Sequence, residues 1–332
     1  MNFIGRSIAK ARIFARKVNK FLGFEVWDQD GDHLSKTKAK LWSDTRVVMR
    51  VLETFQSEKI GFQSVALSYF CMMAFIPLLA VAFAITGGFG LEGKLQGLLY
   101  MSGLPQEIVD SIMNAAVNII DSASTGLFGL INALMFIWVI IWMMMRVEVV
   151  FNNVWKIKKT NRKFVKRLGV DIIIMILTPF VVLIFASGTI VYSHLTDLIF
   201  PNWIGATEAI KSFLGWVIFG AVSVLTLSAM YKFIPATDVR YRHALKAAML
   251  AGIVFTILQY LYLETQVMVM RLNTVYGTIA IIPLFMIWLR YGWLIILYGA
   301  EFSYSFQKEE ERVTKRDRKR KLKAKEKELA KS

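Results

Sequence analysis

YGTIAIIPLFMIWLRYGWLIILYGAEFSYSF, residues 276–306, decides the class of this chain. A hydrocarbon layer ~30 Å thick takes ~20 mainly apolar residues of helix at 1.5 Å rise each, and this stretch exceeds that. It nevertheless carries Arg290 near its middle and Glu301 near its far end. A charge inside a membrane costs ~2.5–3.5 kcal/mol on insertion scales, so each needs a partner, a wet cavity or a route to the interface. The stretch reads as the last of six transmembrane helices, with both charges turned into the bundle.

Working outward, further apolar runs fall at 64–86, 126–147, 168–194, 210–234 and 247–270, and the last span covers 278–305. The chain is 56% hydrophobic with 24 Phe, 16 Met and 9 Trp, values natural to a polytopic membrane protein and hard to keep in solution otherwise. The expected fold is all-α: six transmembrane helices, amphipathic N-terminal helices and an outer helical hairpin. Three regions follow, a basic amphipathic arm over 1–59, the transmembrane domain over 60–306 and a charged tail over 307–332. In the arm, Ile4, Ile8, Ala11, Ala15, Val18 and Leu22 recur at helical spacing, with most basic residues off that stripe. A second amphipathic helix is expected over about 44–59. Residues 27–40 contain DQDGD, which lacks the ligand series and closing Glu of a calcium loop.

The formal net charge is +16, which on a soluble chain would point to nucleic acid. Here the cations sit beside apolar spans, so anionic headgroups are the expected counter-charge and nucleic acid is not an expected partner. Of 40 Lys and Arg, twelve precede residue 60, eight lie in 146–167, four in 232–246 and twelve after 306. Only Lys94, Lys211 and Arg271 fall on the other side. Lys and Arg stay cytoplasmic in short loops, so both termini are expected in the cytoplasm of a bacterium, with the spans in its inner membrane. The first ~40 residues lack an apolar core followed by a small-residue cleavage site, and the first span is expected to act as the insertion signal. Outside, residues 87–125 carry Glu92, Glu107, Asp110 and Asp121, and an interruption at 103–105 predicts a short helical hairpin.

Few residues carry chemistry. Pro77, Pro179 and Pro283 fall within spans, where each removes a backbone donor and is expected to kink its helix. Ala244, Ala248 and Gly252, with Ala247 and Ala251, form a small-residue ladder for close helix packing. Glu264, Arg290, Glu301 and Arg146 are the intramembrane charges, candidates either for structural pairing or for a substrate or ion pathway. Gln259, Tyr260, Tyr262 and Gln266 make the helix around Glu264 the most polar of the six. Lys156, Lys158, Lys159, Arg162, Lys163, Arg240 and Arg242 are the candidates to hold lipid headgroups. The lone Cys71 excludes an internal disulfide or paired-cysteine site. His33, His194 and His243 are spread over both sides of the membrane, so no metal is expected, and no cofactor motif or hydrolase signature appears.

Four segments together resemble the YihY/BrkB family of bacterial inner-membrane proteins. VALSYFCMMAFIPLLAVAFAI at 65–85 is similar to its first span, and VFNNVWKIKKTNRKFVKRL at 150–168 to its asparagine-tryptophan loop with trailing cations. MYKFIPATDVRYRHALKAAMLAG at 230–252 and TVYGTIAIIPLFMIWLRYGWLIILYGAEFSY at 274–304 resemble its later motifs in the same order. The resemblance implies six transmembrane helices with cytoplasmic ends; Arg290 departs from it, standing where a neutral residue is expected. It also links the chain with envelope integrity, lipid or lipopolysaccharide trafficking and cation/proton exchange. A ribonuclease label has travelled with the family, but no residue here carries that chemistry. The leading expectation is a non-enzymatic transporter of a lipid or other amphipathic envelope component. A cation/proton antiporter using Glu264 or Glu301, and a non-transporting scaffold, are the alternatives; a homo-oligomer is allowed by all three.

Overall fold

The structure is a computed structural model that describes residues 36–57, 60–88, individual residues between 97 and 118, then 126–157, 208–270 and 274–329. Regular structure among the described residues is helical. The elements are α1 (Lys36–Ser57), α2 (Ile60–Gly88), α3 (Gly126–Val154), α4 (Glu208–Phe233), α5 (Tyr241–Met270) and α6 (Thr274–Leu329). Five of them, α2 to α6, are long and apolar enough to cross a membrane. The protein is therefore an all-α polytopic membrane protein. The run at 168–194, with Pro179, lies outside the described residues, as does most of 87–125; Tyr100 Oη there donates to Asp110 Oδ1 at 2.6 Å.

The chain divides into two compact units. One comprises Met1–Glu58 and Tyr304–Ser332, and the other Lys59–Ser303. In the first, α1 buries Val47, Val51 and Thr54, and its Arg46 Nε donates to Glu309 Oε1 at 2.7 Å. Arg50 adds a longer contact to the same carboxylate at 3.7 Å and donates to the Ser305 carbonyl at 3.3 Å. The charged tail is helix to Leu329. Its Lys, Arg, Glu, Ala and Leu are strong helix formers, and Glu311 precedes Lys315 at the i,i+4 spacing that favours pairing.

In the second unit the small-residue ladder does what its spacing predicts. Ala244, Ala247, Ala248 and Ala251 are buried on α5. A Cβ at Gly252 would stand 2.6 Å from Val224 Cγ2 on α4, so the two backbones approach closely only because Gly252 has no side chain. Gly252→Ala is expected to destabilise the protein by about 1–3 kcal/mol. Adding Val224→Ala removes the obstructing methyl and restores most of the loss, read as a double-mutant cycle on thermal unfolding in detergent. Independent, additive effects would place the close approach elsewhere.

Hydroxyls within the spans are largely consumed by their own helices. Ser64 donates to the Gly61 carbonyl at 2.8 Å, Ser68 to Val65 at 2.7 Å, Ser223 to Phe219 at 2.8 Å and Thr256 to Gly252 at 2.8 Å. In a solvent without hydrogen-bond partners this hides the polar group where it stands. Pro77 sits buried inside α2 and Pro283 exposed inside α6, each with helix on both sides.

Candidate functional site

Among the described residues of the second unit, several buried polar groups gather around Tyr231. Tyr231, fully buried near the end of α4, is the hub: its ring lies 6.5 Å from that of Phe151 on α3. A Cβ on Gly299 of α6 would meet Tyr231 Oη at 1.9 Å and Ala251 Cβ of α5 at 2.8 Å. Four helices thus meet at this level. Glu148 lies three residues before Phe151, and Glu301 two residues after Gly299, so both carboxylates fall within a helical turn of the hub along their own helices. Glu148 and Glu301 are both buried, as are Ser303 and His243.

The sequence singled out Glu301 but missed Glu148. The expected span stopped at 147, whereas α3 continues to Val154 and keeps its inner face buried through Val147, Val150, Phe151 and Trp155. A helix carried one or two turns past its hydropathic boundary, with apolar residues still at helical spacing, is the signal that would have found it.

The same end is stapled by Asn152. Its Oδ1 accepts from the Ala236 N–H at 2.8 Å, tying the end of α3 to the turn between α4 and α5. That turn is ordered by Lys232, whose Nζ donates to Asp238 Oδ1 at 3.0 Å and to the Val239 carbonyl. Pro235 and Val239 are buried beneath it, while Arg240 and Arg242 stay exposed. On the α3 side, Ile157 N donates to Asn152 O and Lys156 N to Asn153 O, both at 2.9 Å. Those two bonds and the positive φ of Lys156, 55°, form the left-handed helix end that glycine ordinarily occupies. A lysine there costs about 1 kcal/mol or more. Lys156, Arg240 and Arg242 therefore lie on elements that the Asn152 bond joins; Lys158, Lys159, Arg162 and Lys163 fall outside the described residues.

The remaining intramembrane charges sit differently. Arg290 is exposed, not turned into the bundle as its sequence position implied, and its guanidinium lies over the ring of its neighbour Tyr291 at 5.7 Å. Eleven residues separate it from Glu301, about three full turns, so the two share one side of α6; that side is covered at Glu301 and open at Arg290. Glu264 is also exposed, and neither Glu264 nor Arg290 makes an ion pair among the described residues. Arg146 is exposed and packs over the Trp142 and Phe70 rings at 5.5 and 5.7 Å. The polar residues near Glu264 split by face. Gln259, Tyr262 and Gln266 are buried, with Gln259 Oε1 accepting from Trp288 Nε1 at 3.0 Å. Tyr260 and Glu264 lie on the exposed side. Among the described residues, no group of three His, Cys, Asp or Glu is placed to hold a metal.

The profile of a family described as virulence factor BrkB matches residues 51–325. A UPF0761 membrane protein of Janthinobacterium sp. (strain Marseille) is 28% identical over 269 residues, 78% of this chain and 59% of that protein. One of Aromatoleum aromaticum is 28% identical over 74% of this chain and 60% of its own length. One of Mannheimia succiniciproducens is 26% identical over 75% of this chain and 85% of its own length. The chain thus spans about 60% of the length of the first curated relatives it matches. No solved structure matches.

Proposed function

The chain belongs to the virulence factor BrkB family, an integral membrane family, and from that premise we propose that it carries an anionic lipid or a similar amphipathic envelope component through the bacterial inner membrane. In this reading both termini face the cytoplasm and the protein is a carrier rather than an enzyme. Its partners are membrane lipids, or a second copy of itself, and not nucleic acid. The observation that carries it is the Asn152–Ala236 bond, which ties the end of α3, just before Lys156, to the turn that leads into Arg240 and Arg242. Cations gathered at the end of apolar helices face headgroup phosphates first. Reconstitution into liposomes with fluorescent phosphatidylglycerol tests the idea: protein-containing vesicles are expected to equilibrate the label between leaflets faster than empty ones. Equal rates would end it.

A second reading rests on the fully buried Glu301, with the buried Glu148 within a helical turn of the same hub, as a proton-exchanging carboxylate for cation/proton antiport. Glu301→Gln then abolishes pH-driven cation flux while leaving lipid equilibration intact.

A further inference from the structure

We propose that the exposed face shared by α4 and α5 binds a phospholipid with an ammonium headgroup, of the phosphatidylethanolamine class. The site stands whether or not the protein carries lipid, since it shares no residue with the cationic turn described above. Small side chains make its first part. Gly220 and Ala221 on α4 leave a furrow of about 540 Å³ against Ile253, Thr256 and Ile257 on α5. The Thr256 hydroxyl is turned back on its own helix, donating to the Gly252 carbonyl at 2.8 Å, so the furrow presents apolar walls. Both helices are long and apolar enough to span a membrane, and a furrow on their exposed side opens on hydrocarbon. A fatty acyl chain is what fills it.

The second part selects the headgroup. Val224 packs on Gly252 at one end of the furrow, and Trp216 meets Tyr260 at the other, their rings edge to face at 5.6 Å. Eight residues of each helix separate the two levels, about 12 Å. One turn beyond Tyr260, on the same stripe of α5 as Ile253 and Ile257, stands Glu264. It is exposed and makes no ion pair among the described residues. The 30 residues of α5 run about 45 Å against a layer of ~30 Å, so Glu264, six residues before Met270, sits near the boundary with the headgroups. A carboxylate within a span ordinarily turns to the bundle interior or to a partner side chain, and this one does neither. An ammonium group answers it on both counts. It pairs with the carboxylate, and its charge is drawn to the faces of the exposed Tyr260 and half-buried Trp216 next to it. Phosphatidylglycerol with the same tails brings only negative charge to Glu264.

The test compares the full chain with Glu264→Gln and Ala221→Phe in neutral detergent. Affinity is read from the rise in unfolding temperature on titrating phosphatidylethanolamine or phosphatidylglycerol with identical tails. The parent is expected to bind phosphatidylethanolamine about fivefold more tightly, the upper value of one exposed ion pair. Glu264→Gln removes that preference and leaves the unfolding temperature without lipid unchanged, because no ion pair is lost. Ala221→Phe fills the furrow from its exposed side and weakens both lipids alike; Ile257→Trp fills the same space from α5 and replaces it where the phenylalanine variant is itself unstable. A parent without preference, or a preference that survives in Glu264→Gln, overturns the proposal. So does unchanged affinity for both lipids once the furrow is filled. A filled furrow that turns a dimer into a monomer by light scattering, with lipid binding intact, assigns the face to a second copy of the chain instead. None of these readings depends on leaflet equilibration, so failure of the carrier assay leaves the site standing.

Discussion

Replacing Gly299 by alanine lowers the stability of the protein by about 3 kcal/mol or more, a fall of roughly 6–12 °C in Tm for a domain of this size. The added Cβ would lie 1.9 Å from Tyr231 Oη, 2.6 Å from Cζ and 2.8 Å from Ala251 Cβ. One such contact is relieved when the obstructing atom ends a flexible chain. Tyr231 is instead a rigid ring, fully buried with Phe151 beside it, so relief requires α4 and α6 to separate. Trimming the partner has the opposite sign. Tyr231 Oη has no hydrogen-bond partner among the described residues, so Tyr231→Phe removes a buried polar atom and is expected to be neutral or mildly stabilising. Thermal unfolding of the two variants in one detergent checks both statements. A Gly299→Ala protein as stable as the parent would show that the helices do not meet at Tyr231.

That junction also shows where the sequence could be read and where it could not. The five described spans announce themselves by length and hydropathy, because a helix in lipid satisfies its own backbone and needs only apolar side chains around it. For the same reason it does not announce which side faces inward. A helix apolar on every side has no preferred face, and Glu301, Arg290 and Glu264 look alike in the sequence although only Glu301 is buried. Small residues were the exception. Ala244, Ala247, Ala248, Ala251 and Gly252 could be assigned to packing beforehand, because only a close neighbour explains a stripe without side chains. Tyr231 opposite Gly299 could not, since the two are 68 positions apart and nothing local ties them. The cationic clusters were legible by counting. The left-handed conformation of Lys156 was not, because such a helix end is ordinarily marked in a sequence by glycine or asparagine.

Charge burial separates two ion pairs at the start of the tail and sets the second large expectation. Arg46–Glu309 is buried on both sides, with side-chain exposures of 8% and 4%, whereas Lys308–Glu311 one turn along is open at 48% and 36%. Taking charges out of water costs several kcal/mol per ion, repaid only while both partners are present. Glu309→Ala removes the carboxylate that faces Arg46 at 2.7 Å and Arg50 at 3.7 Å, and is expected to cost about 3–5 kcal/mol. Lys308→Ala changes stability by no more than about 0.5 kcal/mol, and that small effect fades with added salt. The decisive variant replaces both buried partners with apolar residues of similar size, Arg46→Met with Glu309→Leu. If the pair fixes the geometry of α1 against the tail without adding net stability, the double variant unfolds close to the parent or above it, while each single variant unfolds far below. Urea or thermal unfolding of the four proteins gives the coupling directly. Single variants that lose no more than the exposed-pair control would mean that water reaches Glu309 and the pair is not buried in solution.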